Sequence, residues 1–224
     1  MPRMLPVLLG GDANVYGMAR SFYECYGVRS LAVCRRALPA LAHSRLVRVA
    51  VQDPAFGQDH VFTATLLGLA AQYPGVPKIL ISCADDYAAL LDALRGLLQA
   101  AGWHGFANFD LKYDRRGEPV LFELNPRQGR ASYFCDAADA PLAVPPVQDL
   151  LYGGPVTPPT LRPAVWYTAP WYAVRRACPN RLALRRADTL RRRGRGRAHL
   201  LAAGEGASRR IWFMARQLSY YRKL

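Results

Sequence analysis

Short apolar runs alternate with stretches of helical periodicity over the first part of the chain. The run at Leu5–Leu9 ends at Gly10-Gly11, which predicts a buried strand that enters a tight turn. The next stretch has apolar residues at the spacing of one helical face, and Gly27 follows it at the position of a C-cap. Further strands are predicted at 28–34, 46–51 and 78–83, with helices at 59–73 and from about 85 to 102. This alternation predicts a doubly wound parallel sheet over residues 1–90.

The pattern changes in the middle of the chain. Residues 106–113 and 120–125 alternate between apolar and polar, and Asp114–Gly117 between them is typical of a turn. This predicts an antiparallel hairpin, which proline-rich connections, an aromatic stretch, an arginine-dense stretch and a C-terminal helix then follow. We therefore predict an α/β chain in three parts: a Rossmann-like domain at 1–91, an α+β subdomain with the hairpin at 92–159, and a basic, aromatic extension at 160–224.

The net charge of +14 is confined to the predicted extension. Residues 1–159 have 14 basic and 14 acidic side chains, whereas 160–224 have 16 basic side chains against only Asp188 and Glu205. This asymmetry favours an anionic partner, such as a membrane surface, a nucleic acid or a phosphorylated substrate. No run approaches the ~20 apolar residues of a membrane span. The five cysteines show no paired spacing, and the apolar N-terminal stretch is too short for a signal peptide, so a cytoplasmic protein with unpaired cysteines is predicted.

Polar residues share one face of the predicted hairpin. Residues two apart on a strand lie on the same face, so Asn108, Asp110 and Lys112 are predicted to lie together, as are Glu123 and Asn125. Aligned polar faces bring Asp110, Glu123 and Asn125 into one group. Two carboxylates and an amide oxygen suit Mg²⁺ rather than Zn²⁺.

The residues that follow the hairpin favour a site for metal and phosphate over the alternative, a solvated strand face. Pro126 stiffens the exit from the second strand, and Arg127 and Arg130 are spaced to clamp phosphate oxygens. The four histidines are isolated, and a structural role is favoured for each of them. Gly10-Gly11-Asp12 lacks the glycine spacing of a dinucleotide loop, so no cofactor is predicted there.

The hairpin region resembles the C-terminal signature of the ATP-grasp superfamily. The resemblance rests on Gly105-Phe-Ala-Asn-Phe-Asp-Leu-Lys-Tyr-Asp114, a turn, and Leu121-Phe-Glu-Leu-Asn-Pro-Arg-Gln-Gly-Arg130. Enzymes of this family phosphorylate a carboxylate with ATP, and an amine then attacks the acyl phosphate. The resemblance thus implies an ADP-forming carboxylate–amine ligase that uses ATP and Mg²⁺, with Mn²⁺ as an alternative ion.

The same resemblance implies roles for individual residues of the hairpin. The metal ligands would be Asp110, Glu123 and Asn125, and the nucleotide-binding residues would be Asn108 and Lys112. Arg127 and Arg130 would be catalytic, because they face the transferring phosphoryl group and stabilise its charge.

The N-terminal part has a narrower resemblance to D-aspartate ligase-like carboxylate–amine ligases. It rests on Leu9-Gly-Gly-Asp-Ala-Asn-Val-Tyr-Gly-Met-Ala-Arg-Ser-Phe-Tyr23, on His43-Ser44-Arg45 and on Lys78-Ile-Leu-Ile-Ser-Cys-Ala-Asp-Asp-Tyr87. The resemblance implies that residues 1–91 are a pre-ATP-grasp domain. It also implies that an amino acid is joined to a peptide or peptidoglycan precursor.

One expected segment is not found between these two regions. The family has a long ATP-binding stretch between the Asp-Asp-Tyr motif and the hairpin, whereas here few residues separate Tyr87 from Gly105. A piece on the order of 100–200 residues, which supplies the phosphate-binding lysines and the adenine pocket, is lacking. Full ligase activity of this chain alone is therefore in question, and a non-catalytic remnant or one subunit of a split enzyme, with a complementary chain, is the alternative.

The basic extension predicts a second kind of partner. Residues 209–224 fit a helix with Ile211, Ala215 and Leu218 on one side, and Trp212 and two tyrosines suit a membrane interface. Packing of this helix against the second domain of the chain is favoured, and the alternative hypothesis is that region 175–224 binds an anionic membrane at its cytoplasmic face. Nucleic acid is not an expected partner, because no reading motif accompanies the arginines.

Overall fold

A computed structural model describes residues 4–84, 108–117, 119–125, 127–129 and 132–220. Its first part contains strands β1 (Leu5–Leu9), β2 (Ser30–Cys34), β3 (Val47–Gln52) and β4 (Lys78–Ser82) and helices α1 (Ala13–Tyr26) and α2 (Asp59–Gln72). Short 3-10 turns lie at Pro39–Leu41 and Pro54–Gly57. Each of these strands and helices lies within a few residues of its predicted position. The helix predicted at about 85 to 102 lies outside the described residues.

The four strands form one parallel sheet in the order β3-β2-β1-β4. Successive residues of β1 lie on opposite faces of the sheet. Leu8 packs in the core beneath α1, whereas Val7 and Leu9 pack on the other face with Phe56 and Phe62. Because helices cover both faces, β1 and β2 are apolar along most of their length rather than alternating. The predicted doubly wound α/β class is confirmed.

Both ends of α1 are capped by residues on its flanks. The Asp12 carboxylate accepts hydrogen bonds from the backbone N–H groups of Asn14 at 2.9 Å and Val15 at 3.5 Å. At the other end Gly27 adopts a left-handed φ of 65°, and its N–H donates to the Tyr23 carbonyl at 2.9 Å. The C-cap at Gly27 was predicted from the sequence, and the two caps define the ends of the helix.

The middle of the chain forms the predicted antiparallel hairpin of β5 (Asn108–Tyr113) and β6 (Pro119–Asn125). Asp114 closes the turn, since its carboxylate accepts from the Arg116 N–H at 2.7 Å and its carbonyl accepts from the Gly117 N–H at 3.1 Å. Gly117 has a φ of 82°, which glycine adopts without steric penalty.

The described part of the chain beyond the hairpin contains both helices and strands. Its elements are α3 (Tyr133–Ala137), α4 (Val144–Tyr152), β7 (Val165–Tyr167), α5 (Trp171–Ala177), α6 (Arg181–Leu190), a π-helical turn at Arg191–Arg195, β8 (Gly196–Ala198) and α7 (Ala207–Ser219). Strands β7 and β8 pair in parallel. No helix of the described ranges is long and apolar enough to cross a bilayer.

A buried ion pair attaches the basic extension to the N-terminal part. Glu205 accepts hydrogen bonds from the Ser44 hydroxyl at 2.7 Å and the Arg45 N–H at 2.8 Å, and it lies 3.8 Å from Arg209. The fully buried guanidinium of Arg209 is stacked between the rings of Tyr16 and Trp212, at 4.3 and 4.2 Å from their centroids. His43-Ser44-Arg45 is therefore a docking point for the extension.

Trp212, the side chain predicted to suit a membrane interface, is half-buried. It stacks on Arg209 and packs at the edge of the core that contains Val15, Met18 and Phe22. On this face α7 packs against the sheet domain of its own chain rather than against the second domain.

Candidate functional site

The register of the hairpin brings the predicted ligand residues to neighbouring positions. Asp110 is directly opposite Glu123, and Asn108 is directly opposite Asn125. Directly opposed residues of an antiparallel pair share a face, with Cβ atoms about 4.5–5.5 Å apart. The backbone therefore places two carboxylate residues and two amide residues side by side, as the alternation of the sequence predicts.

A β-bulge interrupts the hairpin next to these residues. The register shifts after Asp110, so Leu111 pairs with Leu121 and β6 has one extra residue, Phe122. In a regular strand Leu121 would lie on the same face as Glu123, whereas the bulge pairs it on the opposite face with Leu111. Bulges are common beside active sites because they terminate or redirect a row of side chains. Sequence reasoning did not predict this feature.

Lys112 lies on the far side of the bulge. It is paired with Val120 in the register, and its side chain is exposed. Because alternate residues of β5 share a face, Lys112 continues the row that contains Asn108 and Asp110. Its predicted contact with a nucleotide stays a prediction.

The exit from β6 is anchored to the end of strand β4. Gln128 is buried, and its side-chain amide donates to the Cys83 sulfur at 3.2 Å. Asn125 precedes Gln128 by three residues, which span at most about 11 Å. The ligand-bearing end of the hairpin is therefore held near the carboxyl edge of the parallel sheet, where open α/β sheets bind ligands. No pattern in the sequence links Gln128 to Cys83, and this contact was missed.

Arg127 belongs to the same exit turn. Its guanidinium is half-buried and donates from Nη1 to the Gln128 carbonyl at 2.8 Å. Anchoring of Gln128 thus also restricts Arg127, the arginine predicted to face phosphate. Arg130, the second predicted catalytic arginine, lies outside the described residues.

The loop after β1 is adapted to close packing at this sheet edge. A Cβ atom on Gly11 would lie 2.1 Å from the Arg36 carbonyl oxygen, so only glycine fits. The Asn14 side-chain amide donates to the Cys83 carbonyl at 2.7 Å and joins the start of α1 to the end of β4. The Asp12 carboxylate occupies the N-terminus of α1, the position where a dinucleotide loop would receive phosphate.

Two titratable groups near the hairpin exit are structural. Complete burial raises the pKa of the Cys83 thiol far above its ordinary value, so this sulfur is neutral and a poor nucleophile. Burial also raises the pKa of Asp136 on α3 to about 7, against the opposing effect of hydrogen bonds from Ser21 and the Leu142 N–H. Because its partners lie in the packing between α1 and α3, Asp136 is assigned to stability.

His199 joins the extension to α1 as a neutral core residue. The Trp166 indole N–H donates to its Nδ1 at 2.9 Å, so Nε2 bears the proton and donates to the Ala13 carbonyl, also at 2.9 Å. Burial lowers the pKa of His199, and both ring nitrogens are engaged. His43 and His60 are exposed, and His104 lies outside the described residues. The five cysteines are free thiols; Cys34 and Cys83 are buried, but Cys25 is exposed.

A metal site is not visible among the described side chains, where no group of three or more His, Cys, Asp or Glu residues could hold an ion. The carboxylates of Asp110 and Glu123 are not among those side chains. The donor chemistry at their register positions, oxygen only, fits Mg²⁺. The predicted ligand set therefore has the support of the backbone register and stays a prediction.

Comparison with known proteins gives one partial relative. Over 90 residues the chain is 46% identical to a D-aspartate ligase from Enterococcus faecium (strain Aus0004). The match covers 39% of this chain and 21% of that enzyme, so the shared segment is about a fifth of the relative's length. No protein-family model matches the chain, and no solved structure matches it. A relationship to a ligase is supported, in a limited part of the sequence.

Proposed function

We propose that this chain is built on an ATP-dependent carboxylate–amine ligase and that its hairpin binds the Mg²⁺-bound phosphates of ATP. The observation that carries the proposal is the register that sets Asp110 against Glu123 and Asn108 against Asn125. The identity with a D-aspartate ligase agrees with it, since that enzyme's name describes a ligation.

Each predicted residue has a role that its position supports. Asp110, Glu123 and Asn125 would hold Mg²⁺, and the ion would neutralise phosphate charge when bound. Asn108 and Lys112, on the same row of β5, would donate hydrogen bonds to phosphate oxygens. Lys112 would act as a point charge.

The exit turn has a separate role in the proposed reaction. A substrate carboxylate attacks the γ-phosphorus and ADP leaves; an amine then attacks the acyl carbon, phosphate leaves and the amine nitrogen loses a proton. Arg127, together with Arg130, would stabilise the charge on the phosphoryl oxygens in both steps. The bond from Arg127 to the Gln128 carbonyl would hold the guanidinium in place before substrate arrives.

The identity of the two substrates is a further part of the proposal. The name of the relative suggests D-aspartate as the amino acid. A peptide or peptidoglycan precursor is the acceptor that the resemblance of the sequence to D-aspartate ligase-like enzymes implies. No described residue of this chain selects either one.

The alternative function is a non-catalytic remnant or a subunit that needs a complementary chain. The shortness of the segment between Tyr87 and Gly105 favours this alternative, because the ATP-grasp superfamily has its adenine pocket in this region of the sequence. Contacts to phosphate alone grip a nucleotide weakly, and an open site leaves the acyl phosphate exposed to water.

Calorimetric titration with a non-hydrolysable ATP analogue and Mg²⁺ tests the proposed site. We expect binding by the wild type that is at least tenfold weaker in Glu123→Gln, because a metal ligand is converted to a neutral amide. Asp114→Asn is the matched control: it neutralises a carboxylate of the same hairpin at the turn, where Asn can still accept from the Arg116 N–H. Equal affinities for Glu123→Gln and the wild type would contradict the proposed metal set.

An activity assay separates the ligase from its alternative. ADP release that requires both an amino acid and a peptide acceptor would support catalysis by this chain, and a series of D- and L-amino acids would identify the substrate. Nucleotide binding without ADP release would favour a subunit of a split enzyme. A folded wild type that binds no nucleotide would favour the remnant.

A further inference from the structure

Helix α7 exposes an apolar stripe on the face opposite its buried side. Ile211, Met214 and Leu218 are 67%, 65% and 64% exposed, and their spacing of three and four residues places them on one line along the helix. The opposite face contains buried Arg209 and half-buried Trp212 and Phe213, which pack on the core. The helix is thus apolar on a side that no described part of the chain covers.

The extension to which this helix belongs has a strongly positive charge. Both acidic residues of the extension contact other residues of the same extension. Glu205 is buried beside Arg209, and the Asp188 carboxylate accepts a hydrogen bond from the Trp171 indole N–H at 2.8 Å. By contrast, many arginines of the same region have exposed side chains, namely Arg175, Arg176, Arg181, Arg185, Arg186, Arg191, Arg192, Arg193 and Arg210. No described acidic side chain of the extension is left to offset them.

We propose that this surface docks the protein on a bilayer that contains anionic lipid, with Ile211, Met214 and Leu218 inserted between the headgroups. An amphipathic helix that lies in the interface combines these properties: a narrow apolar face, arginines beside it and a length too short to span. The arginines supply electrostatic attraction to the negative lipid surface. The stacking of Arg209 between Tyr16 and Trp212 fixes the helix to the sheet domain, so the stripe is presented in one orientation.

Charge complementarity favours lipid over two other occupants. A second copy of this chain that used the same face would bring the exposed arginines of both copies together, and like charges repel. A nucleic acid would satisfy the arginines but would leave the apolar stripe without a partner. An anionic bilayer satisfies both, because its headgroups attract arginine and its acyl region accepts apolar side chains.

Flotation of the full chain with lipid vesicles tests this proposal. The vesicles contain phosphatidylcholine alone or phosphatidylcholine with phosphatidylserine, and we expect binding to the second kind that weakens as salt is added. The triple variant Ile211→Gln, Met214→Gln, Leu218→Gln should bind more than tenfold more weakly. Arg210→Gln, which removes one charge beside the stripe, should weaken binding about fivefold.

Matched controls separate this surface from general effects of hydrophobicity and charge. Leu67→Gln alters an apolar side chain on α2 with 65% exposure, the same as Met214, and Arg29→Gln removes an exposed arginine of the sheet domain. Both should bind like the wild type, and circular dichroism should show that every variant is folded. Wild-type levels of binding by the triple variant would overturn the proposal.

Two further results would assign the surface to another occupant and also overturn the proposal. One is a dimer in sedimentation velocity that the triple variant abolishes, which would identify a second copy. The other is salt-sensitive binding to single- or double-stranded nucleic acid with no affinity for either vesicle. Because these measurements involve neither ATP nor Glu123, the membrane proposal and the proposed ligase site succeed or fail separately.

Discussion

Neutralising the buried Glu205 should destabilise the contact between the basic extension and the sheet domain. In Glu205→Gln the Arg209 guanidinium would lose the only carboxylate described beside it while it stays fully buried. Nε and Nη2 of Arg209 already have no hydrogen-bond partner within the described part of the chain, and Nη1 alone donates to the Ala42 carbonyl at 2.8 Å. Burial lowers the pKa of Arg209, but arginine stays charged at neutral pH, so its charge would be left uncompensated.

The magnitude follows from the geometry of the pair. At the 3.8 Å between Arg209 Nε and Glu205 Oε1, and with an effective dielectric constant of about 20, the attraction is about 4 kcal/mol. Removal of one partner from a buried ion pair destabilises proteins by about 3–5 kcal/mol. Glutamine retains one oxygen for the Ser44 hydroxyl or the Arg45 N–H, so we expect a loss near the lower end, about 3 kcal/mol.

Urea unfolding followed by tryptophan fluorescence measures this loss. With a urea m-value of about 2 kcal/mol per M, a loss of about 3 kcal/mol lowers the midpoint by about 1.5 M. Asp139→Asn is the control: Asp139 pairs with Arg195 at 3.1 Å but is exposed, and asparagine tolerates its left-handed φ of 69°. We expect a several-fold smaller shift for this control.

The double variant Glu205→Gln, Arg209→Met distinguishes a stranded charge from lost packing. Methionine can occupy the slot between the rings of Tyr16 and Trp212 without charge, so the double variant should be more stable than Glu205→Gln alone. A midpoint for Glu205→Gln within the error of the wild type, or a double variant less stable than Glu205→Gln, would refute the role assigned to this pair.

Three other variants test the fold near the candidate site. Burial raises the pKa of Asp136 in the folded protein to about 7, above its unfolded value. The stability that the protonated carboxyl supplies is therefore lost as pH rises from about 4 to about 7. Urea midpoints measured across this range should decline less in Asp136→Asn than in the wild type. Gly11→Ala should destabilise by about 2 kcal/mol or more, since its Cβ would lie 2.1 Å from the Arg36 carbonyl oxygen, and a midpoint equal to the wild type would contradict the tight loop. Gly68→Ala, in α2 with no atom within 4 Å of the added Cβ, should raise the stability by about 0.5–1 kcal/mol in the same assay.

The extent to which the sequence predicted the structure differs between the sheet and the site. Strand β1 is an apolar run, β4 has an apolar centre at 79–81, and α1 has a clear periodicity and a C-cap glycine, so local pattern sufficed to predict them. The hairpin was also predicted from alternation, as was the grouping of Asp110, Glu123 and Asn125 on one face, but the direct pairing of Asp110 with Glu123 depends on the bulge. The bulge at Phe122 was not predicted: the adjacent apolar residues Leu121 and Phe122 interrupt the alternation of β6, but they do not specify which residue of the strand is left unpaired.

The sequence by itself determined the doubly wound α/β class, the antiparallel hairpin and the concentration of positive charge in the extension. Each of these depends on spacing or composition along the chain, which local physics converts directly into strands, helices and charge. Only the tertiary structure decided that Gln128 meets Cys83, that Glu205 docks on Ser44 and Arg45, and that Trp212 faces inward while Ile211 faces solvent. The physical reason is that these contacts join residues far apart in sequence, and they depend on which surface of each helix finds a complementary surface on the sheet.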